Sequence, residues 1–456
     1  MNYNHRPYIP HETIAAIATP PGEGGIAVIR ISGESAFSIA SALFSKPVHG
    51  AKEHKVVVGT LRSKSGEKLD QVLLLVMKGP KTFTGEDTVE IQCHGGRLVA
   101  RKILEAVLEA GARSAKPGEF SFQAFMNHRL DLAQAEAIAE LIHAKNEYAF
   151  SQSLEQLEGA LSKKIVSLQQ KLTHIAAILE AWVDFPEEGL EFATLEETVS
   201  TLEAAAGECR TLIASFHQGK IIHDGIRMSI VGSPNVGKSS LMNALLGRDR
   251  AIVSPIPGTT RDLIEDDLHL GHLHFRLVDT AGIRPDAETI EEEGIRRAMR
   301  AIEQSDLILY VCDVTNPPHD ALGTLLPPGK TILIWNKIDL PFKKPLPKTA
   351  FSHCVELSAE RGTNMDSLLG SIEEVIWAGH FPATDEIIIT KLRHKESLAR
   401  AEACLRVVIE GLQQNKSAEF VTFDLRQALN ELGMIIGTNV TEDILTEIFS
   451  QFCIGK

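Results

Sequence analysis

Along the first 125 residues the apolar positions fall in short alternating or β-branched runs, at Ile26 to Ile31, Val56 to Leu61, Val72 to Met77 and Thr88 to Gln92. Runs of this length and period predict strands, each with one covered face. One helical pattern, Leu98 to Ala110, interrupts them, which predicts an α+β domain. From Leu130 to Gln218 the period changes. Leu154, Leu157, Leu161, Ile165, Leu168, Leu172, Ile175 and Leu179 step by three or four residues, predicting one apolar stripe along one long helix. A second helical stretch starts near Asp385, with Leu398, Ala401, Leu405, Val408 and Leu412 on one face. The two stretches predict either one bundle split by an insertion or two separate helical subdomains, and the stripe serves packing within the chain or dimerisation.

Between them the pattern changes again. Ile226 to Val231, His274 to Val278, Leu307 to Val311, Thr331 to Trp335 and Val355 to Leu357 are apolar runs parted by polar or helical segments, the signature of a doubly wound parallel sheet. The first run leads into Gly232-Ser233-Pro234-Asn235-Val236-Gly237-Lys238-Ser239 and a helical segment, Ser240 to Leu246. Strand, glycine-rich loop and helix make a phosphate cradle: glycines permit unusual φ values, and backbone N–H groups with the helix N-terminus concentrate positive potential. Lys238 then reaches the β- and γ-phosphates, and the Ser239 hydroxyl can ligate Mg²⁺.

The remaining motifs stand in the required order at strand ends. Asp279-Thr280-Ala281-Gly282 places a carboxylate for the Mg²⁺ shell and a glycine for backbone approach to the γ-phosphate. Leu307 to Val311 has no motif at its end. Asn336-Lys337-Ile338-Asp339 offers a carboxylate for the N1 and 2-amino edge of guanine, an edge adenine lacks, and Ser358-Ala359 suits the guanine O6. Taken alone, Asn336 to Asp339 is equally a capped helix start; in this order and spacing it predicts GTP. Pro257-Gly258-Thr259-Thr260-Arg261-Asp262 is a candidate switch, where a threonine hydroxyl completes the Mg²⁺ shell only while a γ-phosphate is present. The GTP contacts expected are Asn235, Val236, Gly237, Lys238, Ser239, Ser240, Ser254, Thr259, Thr260, Asp279, Thr280, Ala281, Gly282, Asn336, Lys337, Asp339, Ser358 and Ala359.

Many GTPases carry a water-orienting glutamine after the Asp-x-x-Gly element, but here Ile283 follows. Water placement and charge stabilisation then come from a monovalent cation, an arginine in trans or a carboxylate farther along. Asn235, with carbonyls from Ser254 to Ile256, can build an oxygen cage for K⁺, and Glu288 and Glu291 to Glu293 offer carboxylates. Acidic residues in a first helical turn also serve the helix dipole alone.

A length of 456 residues predicts two to four domains. The net charge of −14 is a poor footprint for holding nucleic acid by phosphate neutralisation, so such a substrate needs a local basic face or a partner. Six cysteines without metal or disulfide spacing suit a reducing cytoplasm. No apolar run approaches the length of a membrane span.

Alternation along Ile26 to Ile31 puts Arg30 on a face with Ile26 and Val28, towards an expected interior, and Glu90 has the mirror-image problem between Val89 and Ile91. They form either a structural ion pair or a pocket for a ligand with both donor and acceptor groups. Gly22-Glu23-Gly24-Gly25 precedes a strand, so it is a turn and not a phosphate cradle. The ending Cys453-Ile454-Gly455-Lys456 fits a prenylation box poorly. Its accessible thiol is a catalytic candidate, though a cysteine without an activating neighbour is usually inert.

Thr19-Pro20-Pro21-Gly22 through Arg30-Ile31-Ser32-Gly33, Phe83 to Asp87, Lys116-Pro117-Gly118-Glu119-Phe120 with Leu130 to Ala137, Gly258 to Asp262 and the ending Cys453 to Lys456 resemble the MnmE (TrmE) family of tRNA-modifying GTPases. The likeness covers essentially the whole chain. It implies a multidomain α/β fold: an N-terminal α+β folate-binding and dimerising domain at 1–125, a discontinuous all-α helical domain at 126–220 and 384–456, and an inserted Ras-like P-loop GTPase domain at 221–383. It further implies a homodimer whose GTPase domains pair across K⁺. A flavin-containing partner, MnmG (GidA), joins it in a heterotetramer or larger assembly, which adds a carboxymethylaminomethyl or aminomethyl group at C5 of the wobble uridine of certain tRNAs. The implied one-carbon donor is 5-formyl- or 5,10-methylene-tetrahydrofolate.

Matched by position, the resemblance implies folate contacts at Arg30, Glu90, Arg129 and Lys456, with Arg129 standing where a lysine is common. It implies K⁺ ligands at Asn235, Ser254, Ile256 and Thr259, Mg²⁺ ligands at Ser239 and Thr260, a water-positioning acid at Glu291 and a catalytic candidate at Cys453.

Overall fold

The architecture comes from a computed structural model that describes residues 12–46, 48, 54–184, 194–248, 267–270, 273–278, 302–317, 323–342, 346, 350–377, 386–414 and 416–456. The chain divides into two compact units: Met1–His143, Ser153–Arg210 and Glu396–Lys456 in the first, Ala144–Gln152 and Thr211–Lys395 in the second.

In the first unit, β1 (Ile14–Ile17), β2 (Ile26–Ser32), β3 (Lys55–Arg62), β4 (Lys68–Met77), β5 (Thr88–His94) and β6 (Arg113–Ser114) form one sheet in the order β3-β4-β5-β2-β1-β6. Only β1 and β6 pair in parallel. Helices α1 (Ala36–Leu43) and α2 (Arg97–Glu109) cover one face, burying Ala27, Ile29, Ile31, Leu74, Val89 and Ile91 against Ile39, Leu43, Ile103 and Val107. This corrects the expected phase of β2. Ile26 is 61% exposed while Ile29 and Ile31 are fully buried, so Arg30 lies on the face away from this core. The alternation is real, but which half of it is interior depends on where α1 and α2 pack.

The remaining helices are α3 (Glu119–Met126), α4 (Leu132–His143), α5 (Glu147–Leu157), α6 (Ala160–Asp184), α7 (Leu195–Asp224), α8 (Lys238–Arg248), α9 (Met365–Trp377), α10 (Leu392–Gln413), α11 (Ala418–Ile436) and α12 (Glu442–Ser450). The stripe expected on one long helix is divided between α5 and α6. Gly159 adopts φ 86° and its N–H returns to the Gln156 carbonyl, a left-handed residue that ends a helix. Beyond the break, Leu161, Ile165, Leu168, Leu172, Ile175 and Leu179 are buried. They are covered by α11, which packs along α6 and buries Val421, Leu425, Ala428, Leu432 and Ile435.

In the second unit, β7 (Ile226–Val231), β8 (Asp267–Leu270), β9 (Leu273–Leu277), β10 (Leu307–Asp313), β11 (Thr331–Asn336) and β12 (His353–Glu356) form a sheet in the order β12-β11-β10-β7-β9-β8. Every pair is parallel except β8 with β9. All residues of β10 and β11 are buried, as a parallel sheet covered on both faces requires. Leu241 and Leu245 of α8 and Leu368 and Ile372 of α9 belong to one covering layer, while Tyr310, Leu333 and Trp335 face the other. Strand order reverses at β7, and the crevice at its carboxyl end is where such sheets bind ligands.

Candidate functional site

The loop from Gly232 to Gly237 leaves β7 at that crevice and enters α8. Gly232 has φ 150° and Gly237 φ 100°. A Cβ on Gly232 would lie 2.3 Å from the Val311 carbonyl oxygen, and one on Gly237 would lie 2.2 Å from Asn336 Nδ2, so both positions demand glycine. Asn235 is left-handed at φ 63°. Since α8 begins at Lys238, its unpaired N–H groups and positive dipole end open on the loop. Lys238 Nζ donates to the carbonyls of Gly232 at 2.8 Å and Ser233 at 2.7 Å, and burial lowers its pKa. Ser239 and Ser240 are exposed on the first turn, where a hydroxyl is free to meet a metal or phosphate.

One buried side chain joins this loop to the ends of β11 and β12, where the base contacts are expected. Asn336 donates from Nδ2 to the Val236 carbonyl at 2.9 Å, and its Oδ1 accepts the Ala359 N–H at 3.0 Å. Lys337, left-handed at φ 71°, donates to the Asn235 carbonyl at 2.8 Å and to Asp313 Oδ2 at 2.6 Å. Asp313 also accepts the Thr315 N–H and hydroxyl. The end of β10, expected to carry no motif, therefore supplies the carboxylate that aims Lys337. Burial pushes the Asp313 pKa up, but hydrogen bonds from Lys337 and Thr315 more than reverse this and hold it below its ordinary value.

The Ser358 hydroxyl beside Asp339 lowers that carboxyl's pKa. Arg361 Nε stands 3.8 Å from Oδ2, while Oδ1 is buried without a hydrogen-bond partner. A carboxylate held ionised in this way can accept from a pair of adjacent N–H groups, such as a guanine edge carries.

The second candidate site lies in the first unit. Arg30 and Glu90 face each other across β2 and β5 as an ion pair of 2.8 Å. The Arg30 guanidinium lies 5.6 Å from the Phe120 ring centre and donates from Nη1 to the Gly455 carbonyl at 3.1 Å. Ile454 pairs with Pro117, and the Gly118 N–H donates to the Cys453 carbonyl at 3.3 Å. Gly455, at φ 94°, admits no Cβ, which would lie 2.7 Å from the Ile17 carbonyl. Arg30, Glu90 and the tail carrying Cys453 and Lys456 thus meet. Cys453 is exposed and Lys456 half-buried. Arg129 is exposed, with its Cγ close to Gly85.

A family model described as the GTP-binding protein TrmE N-terminus matches residues 13–129, and one described as the MnmE helical domain matches residues 132–453. The curated protein named tRNA modification GTPase MnmE from Protochlamydia amoebophila (strain UWE25) is 54% identical over 459 residues, covering 100% of each chain. The chain belongs to the MnmE family. The MnmE of Moorella thermoacetica (strain ATCC 39073 / JCM 9320) is 43% identical over 98% of this chain and 99% of its own. That of Chlamydia abortus (strain DSM 27085 / S26/3) is 42% identical over 98% and 100%.

In this MnmE-family chain the described residues expected at the nucleotide lie in the loop after β7 and the first turn of α8 (Asn235 to Ser240), at the end of β11 and just beyond it (Asn336, Lys337, Asp339), and after β12 (Ser358 and Ala359). Ser254, Ile256, Thr259, Thr260, Asp279, Thr280, Ala281, Gly282 and Glu291 lie outside the described residues. Among the described residues no group of three or more His, Cys, Asp or Glu could hold a metal; the Ser239 hydroxyl fits Mg²⁺ only as part of a shared shell. No described helix is long and apolar enough to cross a membrane.

Proposed function

We propose that this chain is a K⁺-activated GTPase acting in tRNA modification, in the domain arrangement 1–125, 126–220 with 384–456, and 221–383. With a flavin-containing partner it adds a carboxymethylaminomethyl or aminomethyl group at C5 of the uridine at tRNA position 34, using a tetrahydrofolate one-carbon donor. The observation that carries the nucleotide half is the Asn336 side chain, which ties Ala359 and its own strand end to the glycine-rich loop, with the Asp339 carboxylate three residues on. The relatives' printed function supports the tRNA half.

Each described residue has a physical role in this reading. Lys238 exchanges its two loop carbonyls for phosphate oxygens, and the N-terminus of α8 faces the same charge. Ser239 and Thr260 would hold Mg²⁺, and Asn235, Ser254, Ile256 and Thr259 would hold K⁺; bound cations neutralise charge that builds on the phosphates. Glu291 positions the attacking water in place of the missing glutamine. In the first unit, Arg30 and Glu90 present a donor and an acceptor to folate beside Lys456, and Cys453 stands on the same tail. The acidic protein shares its tRNA with the partner.

The test is mass spectrometry of wobble nucleosides in tRNA from cells lacking this chain. The C5 group should disappear, and unchanged modification removes the tRNA assignment. Hydrolysis should be faster in K⁺ than in Na⁺; equal rates count against the cage. Glu291→Ala should slow turnover with GTP affinity near normal, and lost affinity would return Glu291 to a structural role.

A further inference from the structure

The segment Arg113 to Phe120 holds an ion pair between a half-buried Arg113 and a buried Glu119 that neither the nucleotide site nor the folate reading uses. Glu119 is 2% exposed. Its carboxylate receives Arg113 through Nη1 at 3.1 Å and through Nη2, and it also accepts the Lys116 N–H at 2.7 Å. Arg113 is tied on its other side to Glu12 through Nε. A carboxylate that closes on a backbone N–H three residues earlier fixes the turn between them. Within that turn Gly118 takes φ 66°, its N–H donates to the Cys453 carbonyl and Pro117 pairs with Ile454. The fit leaves no room, since a Cβ on Gly118 would lie 2.4 Å from the Phe449 carbonyl oxygen.

We propose that Arg113 and Glu119 are positioning residues: their ion pair shapes the 116–119 turn that seats the C-terminal tail and so fixes the Gly455 carbonyl on Arg30. Neither side chain touches the Arg30–Glu90 pair. They act through the backbone of Pro117 and Gly118, and the tail transmits the effect. The link to folate rests on the function proposed above; the seating of the tail does not.

Hydrogen exchange followed by mass spectrometry tests the seating in the full chain. In Arg113→Met combined with Glu119→Gln, which leaves no unpaired buried charge, the peptide carrying Ile454 to Lys456 should exchange about tenfold faster than in the wild type. Gly118→Ala, with the ion pair intact, should do the same. Arg113→Lys should restore exchange to within about threefold. Wild-type exchange in the first two variants, or equal acceleration throughout α11, overturns the proposal. Titration with 5-formyl-tetrahydrofolate supplies a second readout. The Arg113 and Glu119 pair of substitutions should weaken binding about tenfold in the full chain and add nothing in a chain ending at Phe452. An additive loss in the shortened chain makes the pair merely structural and refutes positioning. If the wild type binds no folate, the folate reading falls while the exchange result still decides the seating.

Discussion

Replacing Gly237 by alanine strikes the joint between the glycine-rich loop and the end of β11. The backbone there has φ 100° and the new methyl would begin 2.2 Å from Asn336 Nδ2. Holding an L side chain in the positive-φ region costs roughly 1–2 kcal/mol. The methyl also drives the Asn336 amide off the Val236 carbonyl and the Ala359 N–H, two hydrogen bonds worth about 1 kcal/mol each. The sum is about 3–4 kcal/mol, between two and three decades of affinity at roughly 1.4 kcal/mol per decade. Calorimetric titration with GDP should therefore show Kd raised about a hundredfold or more. Gly247→Ala is the control: it lies within α8, its added Cβ meets nothing within 4 Å, and its effect should be neutral or stabilising by roughly 0.5–1 kcal/mol. Combining Gly237→Ala with Asn336→Ala should cost less than the two losses added, because both break the same bonds. A Gly237→Ala protein whose Kd for GDP stays within threefold of the wild type would refute this account of the joint.

Asp339→Asn should lose about ten- to a hundredfold in GTP affinity, the worth of hydrogen bonds to a charged acceptor. It should gain affinity for xanthosine triphosphate, whose C2 carbonyl accepts from the new amide; a variant that keeps its preference for guanine sinks the assignment of the base. Asp313→Asn leaves Lys337 without its carboxylate and should lower the melting temperature at neutral pH. Because the folded pKa of Asp313 lies below its ordinary 3.8, its stabilisation is complete above that value and lost as pH falls through the lower one. The melting gap between variant and wild type should thus close below pH 3.8, and a gap that widens on acidification contradicts the pairing. Leu168→Ala empties a fully buried position on α6 and should destabilise the first unit by about 2–5 kcal/mol, seen by chemical denaturation, with Kd for GDP unchanged.

The second sheet was readable because a parallel strand covered on both faces is apolar throughout: β7 runs from Ile226 to Val231 as expected, β10 extends its run by Cys312 and Asp313, and β11 extends its run by Asn336. Those ends are also where reading stopped. Asp313 belongs to no recurring pattern, and only the tertiary approach of Lys337 gives its carboxylate a task. Lys238, Asn336 and Asp339 stand out in the sequence because the chemistry of phosphate and guanine would fix residue type and order at a nucleotide site. In the first unit, β1 has no alternation to detect, since Ile14, Ala15 and Ala16 are all buried. The interior face of β2 is not legible in its alternation, because a period of two gives two faces and no sign. The stripe through Leu154 ran on across Gly159, whose tolerance of φ 86° decides the helix break but leaves hydrophobic spacing untouched. The bond from Arg30 to Gly455 spans 425 residues, beyond the reach of any local pattern.

That separation bears on how the protein is made. A ribosome releases Arg30 and Phe120 long before Gly455 is synthesised, so the nascent first unit must wait with this guanidinium lacking one acceptor. Closing a flexible loop of that length costs roughly 5 kcal/mol of chain entropy, more than one hydrogen bond returns; the earlier docking of α6 on α11 and of Phe449 on Phe122 must bring the ends together first. Closure of this corner therefore waits for the synthesis of Gly455, and a chain cut after Phe452 would spare the guanine-nucleotide engine while leaving Arg30 permanently short of the Gly455 carbonyl.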